Sequence, residues 1–169
     1  MIIVRRVLPN DAYGFALCKN KSWQSAYRGI VPAEYLEGLS AEKQSEWVRK
    51  WITEQKESEF YCVTKDDEII GVLVVNPCRD EDRPDSGELT AIYLLEEYWD
   101  KGYGREMMDF AINALNQMGF DEIIVWVLEE NSRARRFYEK FNFVFDGTMK
   151  EIEIGKPLVE IRYVRGAGA

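Results

Sequence analysis

"GELTAIYLLEEYWDKGYGREMMDFAINAL", residues Gly87–Leu115, decides how this chain is read. Its first half, "ELTAIYLL", is apolar on both faces, which predicts a strand lying deep in a sheet that is covered on each side. From Arg105 onward the apolar residues Met108, Ala111, Ile112 and Leu115 recur at helical spacing, and Gly119 is placed to end that helix in a left-handed conformation. Between the two lies "KGYG". A strand turning through Gly102 and Gly104 into a helix leaves backbone N–H groups free at the positive end of the helix dipole. Such a turn can hold phosphate, glycine lets backbone approach it closely, and Lys101 and Arg105 add positive charge. The same glycines also serve a simple backbone turn. The pattern is neither a P-loop, which needs G-K-[ST], nor a dinucleotide fingerprint, because Met107 stands where the third glycine belongs.

Outward from this stretch, "IIVRRV" reads as a short strand, and Asn10 and Asp11 can cap a helix running to Tyr27. Pro32 can open a short helix through Leu36, and Ser40 can cap another in which Trp47 and Trp51 share a face. "FYCVT" and "IIGVLVVN" flank "KDDE" as a hairpin in which Gly71 permits a bulge. A polar loop, "PCRDEDRPDSG", follows. Beyond Gly119, "IIVWVL" is a second buried strand, Asn131 caps a helix to about Lys140, and "FVFDGTM" and "LVEIRYVR" supply two last strands.

With 46% hydrophobic residues in 169, the composition suits one core. One domain is expected over 1–165, with "GAGA" (166–169) as a flexible tail. No apolar run is long enough for a membrane span, and the N-terminal one is too short for a signal peptide, so a cytoplasmic protein without a membrane partner is expected. Cys18, Cys62 and Cys78 lack C-x-x-C spacing, which points to unreactive thiols rather than disulfides or zinc. Histidine is absent altogether, which excludes Ser-His-Asp and Cys-His catalysis and removes the commonest transition-metal ligand; no metal is expected. The net charge of -8 disfavours nucleic acid as a partner, so an anionic ligand needs a local source of positive potential.

A second constellation supplies more. In "NSRARRFYEKFNF", Ala134 and Tyr138 follow the Asn131 cap at i+3 and i+7, aligning a polar group, a small notch and a phenol on one helix face. Together, "WDKGYG" and "NSRARRFYEKFNF" resemble two motifs of the GNAT superfamily of acyl-CoA-dependent N-acyltransferases, and the order of elements matches over nearly the whole chain. "SWQSAYRGIVPAEYL" is similar to the first-helix region of many bacterial members. The resemblance implies an α/β (α+β) fold: a mixed, mostly antiparallel twisted sheet of about seven strands, two central parallel strands splayed to hold CoA, and helices on both faces. It implies an N-acetyltransferase that moves an acetyl group from acetyl-CoA to a small-molecule, peptide or protein amine in a ternary complex, and it admits a homodimer.

In that scheme the cofactor lies against Leu94 and Leu95, the turn Lys101, Gly102, Tyr103, Gly104 and Arg105, and Asn131, Ala134 and Tyr138, with a backbone N–H near Leu94 holding the acyl carbonyl. Glu88, far from the phosphate turn, becomes the candidate base, with Glu129 and Glu130 as runners-up, because an ammonium of pKa ~10 must lose a proton before attack. Tyr138 becomes the acid for the leaving thiolate. Trp23 and Tyr27, with Tyr35, become candidate walls of an amine pocket, although such aromatics also serve as core. Two positions depart from the family pattern. Trp99 occupies the usual Gln or Arg position, leaving the phosphates to backbone amides, and Asn142 replaces a glycine, as a left-handed cap tolerates. A non-catalytic acyl-CoA-binding or regulatory module is the competing reading, against which Glu88 and Tyr138 both speak.

Overall fold

A computed structural model describes residues 1–169. Strand β1 (Ile3–Arg6) leads through a 3-10 turn into α1 (Ala12–Ala26), followed by α2 (Ala33–Glu37) and α3 (Ala41–Glu54). A hairpin of β2 (Glu59–Lys65) and β3 (Glu68–Pro77) precedes β4 (Gly87–Leu94), α4 (Tyr103–Gln117), β5 (Ile123–Leu128), α5 (Ser132–Glu139), β6 (Val144–Glu153) and β7 (Pro157–Arg165). The strands form one seven-stranded sheet, ordered β1-β2-β3-β4-β5-β7-β6, in which β4 and β5 run parallel and all other neighbours antiparallel. This is the mixed sheet that the family resemblance implies, with its parallel pair at the centre.

Period two along β2 shows how the faces are covered: Phe60 meets Phe15 of α1 at 6.3 Å between ring centres, and its neighbour Tyr61 meets Phe110 of α4 at 4.8 Å. Helices α1 and α4 therefore lie on opposite faces, and β3, buried from Ile70 to Asn76, runs between them. The hairpin turns at Asp66 and Asp67, both with positive φ (50° and 66°), and a bulge falls at Ile70, beside Gly71. Ser40 caps α3 by accepting from the Lys43 N–H at 3.3 Å. Asp11 does not cap α1 as its position suggests; its carboxylate accepts from the Leu8 N–H at 2.8 Å and pairs with Arg5 at 2.7 Å, clamping the entry to the 3-10 turn instead. Asn142 takes up the left-handed conformation after α5, with φ 65°. No helix is long and apolar enough to cross a membrane.

The core holds two thiols, Cys18 and Cys62, at 2% and 0% exposure, and burial pushes each up to about 12 from 9.0. Above pH ~9 an unfolded chain releases these protons while the folded chain keeps them, so stability falls as pH climbs through the folded values. Burial also raises the phenols of Tyr27, Tyr93 and Tyr138, extending the loss to higher pH. The unfolding free energy from urea titrations is expected to hold steady up to pH ~8 and then to decline by several kcal/mol towards pH ~12, carrying the midpoint down with it. A midpoint that stays constant across that range would contradict the burial of these groups.

Candidate active site

The parallel pair is joined only at its start: Gly87 lies opposite Ile123 and Glu88 opposite Ile124, after which β4 and β5 diverge. Each continues on its other neighbour, β4 along β3 and β5 along β7, so a wedge opens in the middle of the sheet. The wedge is a cleft of about 520 Å³ with Glu88 at its apex. Where it opens, β4 carries a bulge: Val74 pairs with Ala91 but Val75 with Leu89, leaving Thr90 unpaired, and the Thr90 hydroxyl donates to Asn76 Oδ1 at 2.6 Å. At the far end Leu95 donates its N–H to Ile70 on β3 at 2.9 Å, so strand alternation turns the N–H and C=O of Leu94 towards the cleft. That C=O accepts from the Trp99 indole at 2.8 Å, and the N–H remains available to a ligand.

The chain then turns through two left-handed residues, Asp100 (φ 58°) and Gly102 (φ 89°), before α4 begins. The amides of Lys101, Gly102, Tyr103 and Gly104 find no acceptor in the chain, and the first helical bonds are made by Arg105 and Glu106 to the Gly102 carbonyl. Four consecutive free N–H groups at a helix start form an anion-binding concavity. Gly104 serves packing: a Cβ there would stand 3.3 Å from Phe137 of α5, so its absence lets the two helices close on the turn. Six cationic side chains, Arg79, Arg105, Arg133, Arg136, Lys140 and Lys150, line the cleft against three carboxylates, Glu88, Asp100 and Glu160. In a chain of net charge -8 this is the local positive potential that an anionic ligand requires.

Trp99 holds this end together. Besides its bond to Leu94, its ring carries the Arg133 guanidinium at 4.3 Å, and Arg133 pairs with Asp100 at 3.0 Å. The aromatic side chain at the Gln or Arg position thus brings in an arginine from α5. Trp99→Phe should preserve the stacking and lose only the bond to Leu94, whereas Trp99→Ala should release Arg133 and weaken anion binding up to about tenfold, the scale of one cation–π contact. Calorimetric titration of both variants with CoA checks this, and equal affinities for the two would contradict it.

At the other end Trp23 and Tyr27, both from the α1 region, stack edge-on at 5.0 Å, and Tyr93 of β4 lies 6.3 Å from Trp23. Glu88 is buried, at 3% exposure, and gripped by Arg79 from the polar loop through bonds of 3.0 and 3.1 Å, with Asn76 at 3.4 Å. Buried Arg162 anchors that loop through Asp80 and Asp82, at 3.0 and 2.7 Å, and also binds Asp146 of β6. Tyr138 lines the cleft from α5 with its ring against Phe143 and Tyr163. Burial, with the Tyr93 phenol beside it, pushes the Tyr138 hydroxyl well above the ordinary phenol range, so it keeps its proton at physiological pH. Asn131 caps α5 by accepting from the Ala134 N–H at 3.2 Å, and both residues face the cleft.

The structure thus brings most sequence-predicted residues to one cleft: Trp23, Tyr27, Glu88, Leu94, Gly102, Gly104, Arg105, Asn131, Ala134 and Tyr138. Lys101 is not among them, its ammonium resting 5.5 Å over the Tyr98 ring, and Tyr103 packs on Tyr98 as well. Leu95 is buried, and Tyr35, Glu129 and Glu130 are exposed outside the cleft. Sequence reading missed Arg79, Arg133, Trp126, Lys150 and Glu160. Arg133 lay inside a motif already singled out; for the others no local signal existed, since strand register brings Trp126, Lys150 and Glu160 together and the course of the polar loop brings Arg79.

The model of the acetyltransferase (GNAT) family matches residues 21–143. YuaI of Bacillus subtilis, an uncharacterised N-acetyltransferase, is 31% identical over 93% of this chain and 94% of its own. The spermidine N(1)-acetyltransferase of Thermoplasma acidophilum is 26% identical over 87% of this chain and 91% of its own. Among solved structures, the PaiA N-acetyltransferase of Thermoplasma acidophilum in complex with coenzyme A superimposes with a TM-score of 0.70 at 22% identity, covering 95% of this chain and 98% of that one, a likeness of fold.

Proposed function

Because the chain belongs to the acetyltransferase (GNAT) family, we propose that it moves an acetyl group from acetyl-CoA to a primary amine by direct attack while both are held in the cleft. The observation that carries this reading is the wedge between β4 and β5 that ends on four unpartnered amides, Lys101 to Gly104, with cations around them. Those amides, with Arg105 and Arg133, would hold the pyrophosphate; Asn131 and Ala134 would flank the pantetheine, and the Leu94 N–H would face the acyl oxygen. Acetyl-CoA supplies an activated acetyl thioester. A solved neighbour of the same fold carries coenzyme A, and one relative is named for spermidine, which favours an amine acceptor.

The reaction exchanges one C–S bond for one C–N bond. The acceptor ammonium loses two protons, one before attack and one from the attacking nitrogen as the tetrahedral adduct collapses to the amide, and the departing sulfur gains one. The ammonium of the acceptor gives its first proton to one of two carboxylates that line the cleft, Glu88 at the apex or Glu160 where β5 ends. The Leu94 amide donates to the carbonyl oxygen as negative charge develops there. Tyr138, protonated through its burial, gives a proton to the departing sulfur, and the proton that the new amide nitrogen sheds restores the phenol directly or through water. The Trp23, Tyr27 and Tyr93 rings enclose the amine's carbon chain.

The test is release of CoA from acetyl-CoA with a panel of acceptors: spermidine, a free amino acid, an aminoglycoside and a peptide with an unblocked N-terminus. At least one should give acetylated product in equal amount to free CoA. Tight CoA binding with no transfer to any of them would point instead to a binding module.

A further inference from the structure

We infer that Glu160, rather than Glu88, takes the proton from the acceptor amine, and that Glu88 is a positioning residue. The inference rests on the acetyl-transfer reading above and concerns how the two glutamates of the cleft divide the labour.

The two carboxylates are held differently. Glu88 has both oxygens committed, in a fork with Arg79 at 3.0 and 3.1 Å and to Asn76 at 3.4 Å, and its side chain is only 4% exposed. A forked carboxylate has its lone pairs directed at guanidinium N–H groups, and accepting a proton would break that pair. Glu160 of β7 lies opposite Leu128 at the open end of β5 and lines the cleft with 23% of its side chain accessible. Its one ion-pair partner is Lys150 of β6, at 3.7 Å, beyond ordinary hydrogen-bond length. The Lys150 ammonium sits 3.8 Å over the Trp126 ring, which fixes it beside Glu160 rather than upon it. Lone pairs of Glu160 therefore remain free to receive a proton, directly or through one water.

The electrostatic surroundings agree. The groups facing Glu160 are Lys150 from β6, Glu88 and Tyr93 from β4, Arg79 from the loop and Tyr27 after α1. Burial raises the Glu160 carboxyl above the ordinary glutamate range, opposed by Lys150. Its charge is felt by the Tyr27 and Tyr93 phenols, and Tyr27 also feels Tyr138, so Glu160 belongs to the group of side chains around the proposed acid. Glu88, through Arg79, instead ties the polar loop to the apex of the wedge and sets the shape of the chamber.

The experiment is the pH dependence of kcat/KM in the full-length chain, using the panel amine with the highest wild-type rate, for Glu160→Gln, Glu88→Gln and Lys150→Met, with CoA affinity measured calorimetrically for each. Glu160→Gln should lower kcat/KM about 10²-fold at neutral pH, remove the acid-side break and leave CoA affinity unchanged. Glu88→Gln should lower the rate yet keep the break, because the titrating group is still present. Lys150→Met should move the break to higher pH by deleting the opposing cation. A Glu160→Gln variant that keeps the wild-type break, or that loses CoA affinity in step with its rate, overturns the assignment, as does disappearance of the break in Glu88→Gln alone. Wild-type protein that acetylates no amine overturns the acetyl-transfer reading itself, and this assignment with it.

Discussion

Tyr138→Phe is expected to lower the rate of acetyl transfer by about 10²-fold or more when proton delivery to the departing sulfur limits turnover. The ring fits between Phe143 and Tyr163, at 5.8 and 6.5 Å, and phenylalanine preserves that packing, so stability and CoA affinity should change little. The loss should persist at high pH. More free amine forms there, but no other side chain at that position carries the missing proton. Slow product release masks such an effect in steady-state turnover, so the pre-steady-state chemical step is the quantity to compare. A wild-type chemical step in the variant would remove Tyr138 from the mechanism and leave backbone positioning as the source of catalysis.

Gly102→Val should produce the other large effect, on binding. Gly102 has φ 89°, a conformation that costs a side-chain-bearing residue about 1–2 kcal/mol and a β-branched one more. No atom lies within 4 Å of where its Cβ would be, so the penalty comes from the backbone rather than from a clash. Relief requires the turn to change shape, which swings the free amides of residues 101–104 out of convergence. Affinity for CoA should fall on the order of 10–10²-fold, with a smaller loss in thermal stability. Gly102→Ala should lie between, and unchanged calorimetric affinity in both variants would place the phosphates elsewhere.

The parts of this site that could be read from the sequence are those whose physics is local. A strand, a glycine turn and a helix follow one another within Gly87–Leu115, and each is specified by its neighbours in the chain, so the turn and its free amides were foreseeable. The same holds for the Asn131 cap and for the left-handed Asn142, where side-chain chemistry and φ preference act within a few residues. Asp11 shows the limit even of local signals, because a carboxylate near a helix start can serve the helix or the segment before it, and Arg5 draws it to the latter. Glu88 was legible as a residue but not in its state. The arginine that grips it comes from a loop whose course is set by Arg162, eighty residues away from Asp82 in sequence. Glu160 and Lys150 acquire meaning only when β6 and β7 pair in register and β7 takes its place beside β5, which no periodicity within either strand announces.

The central claim is direct transfer of acetyl from acetyl-CoA to an amine within the β4–β5 wedge. It is tested most directly by mixing the protein with isotopically labelled acetyl-CoA, quenching with and without the best acceptor amine, and following the label in protein and small-molecule fractions. The account predicts label in the amine alone, equal in amount to CoA released, and none bound covalently to the protein when the acceptor is omitted. Label that accumulates on the protein without acceptor and passes to the amine when acceptor is added would contradict it.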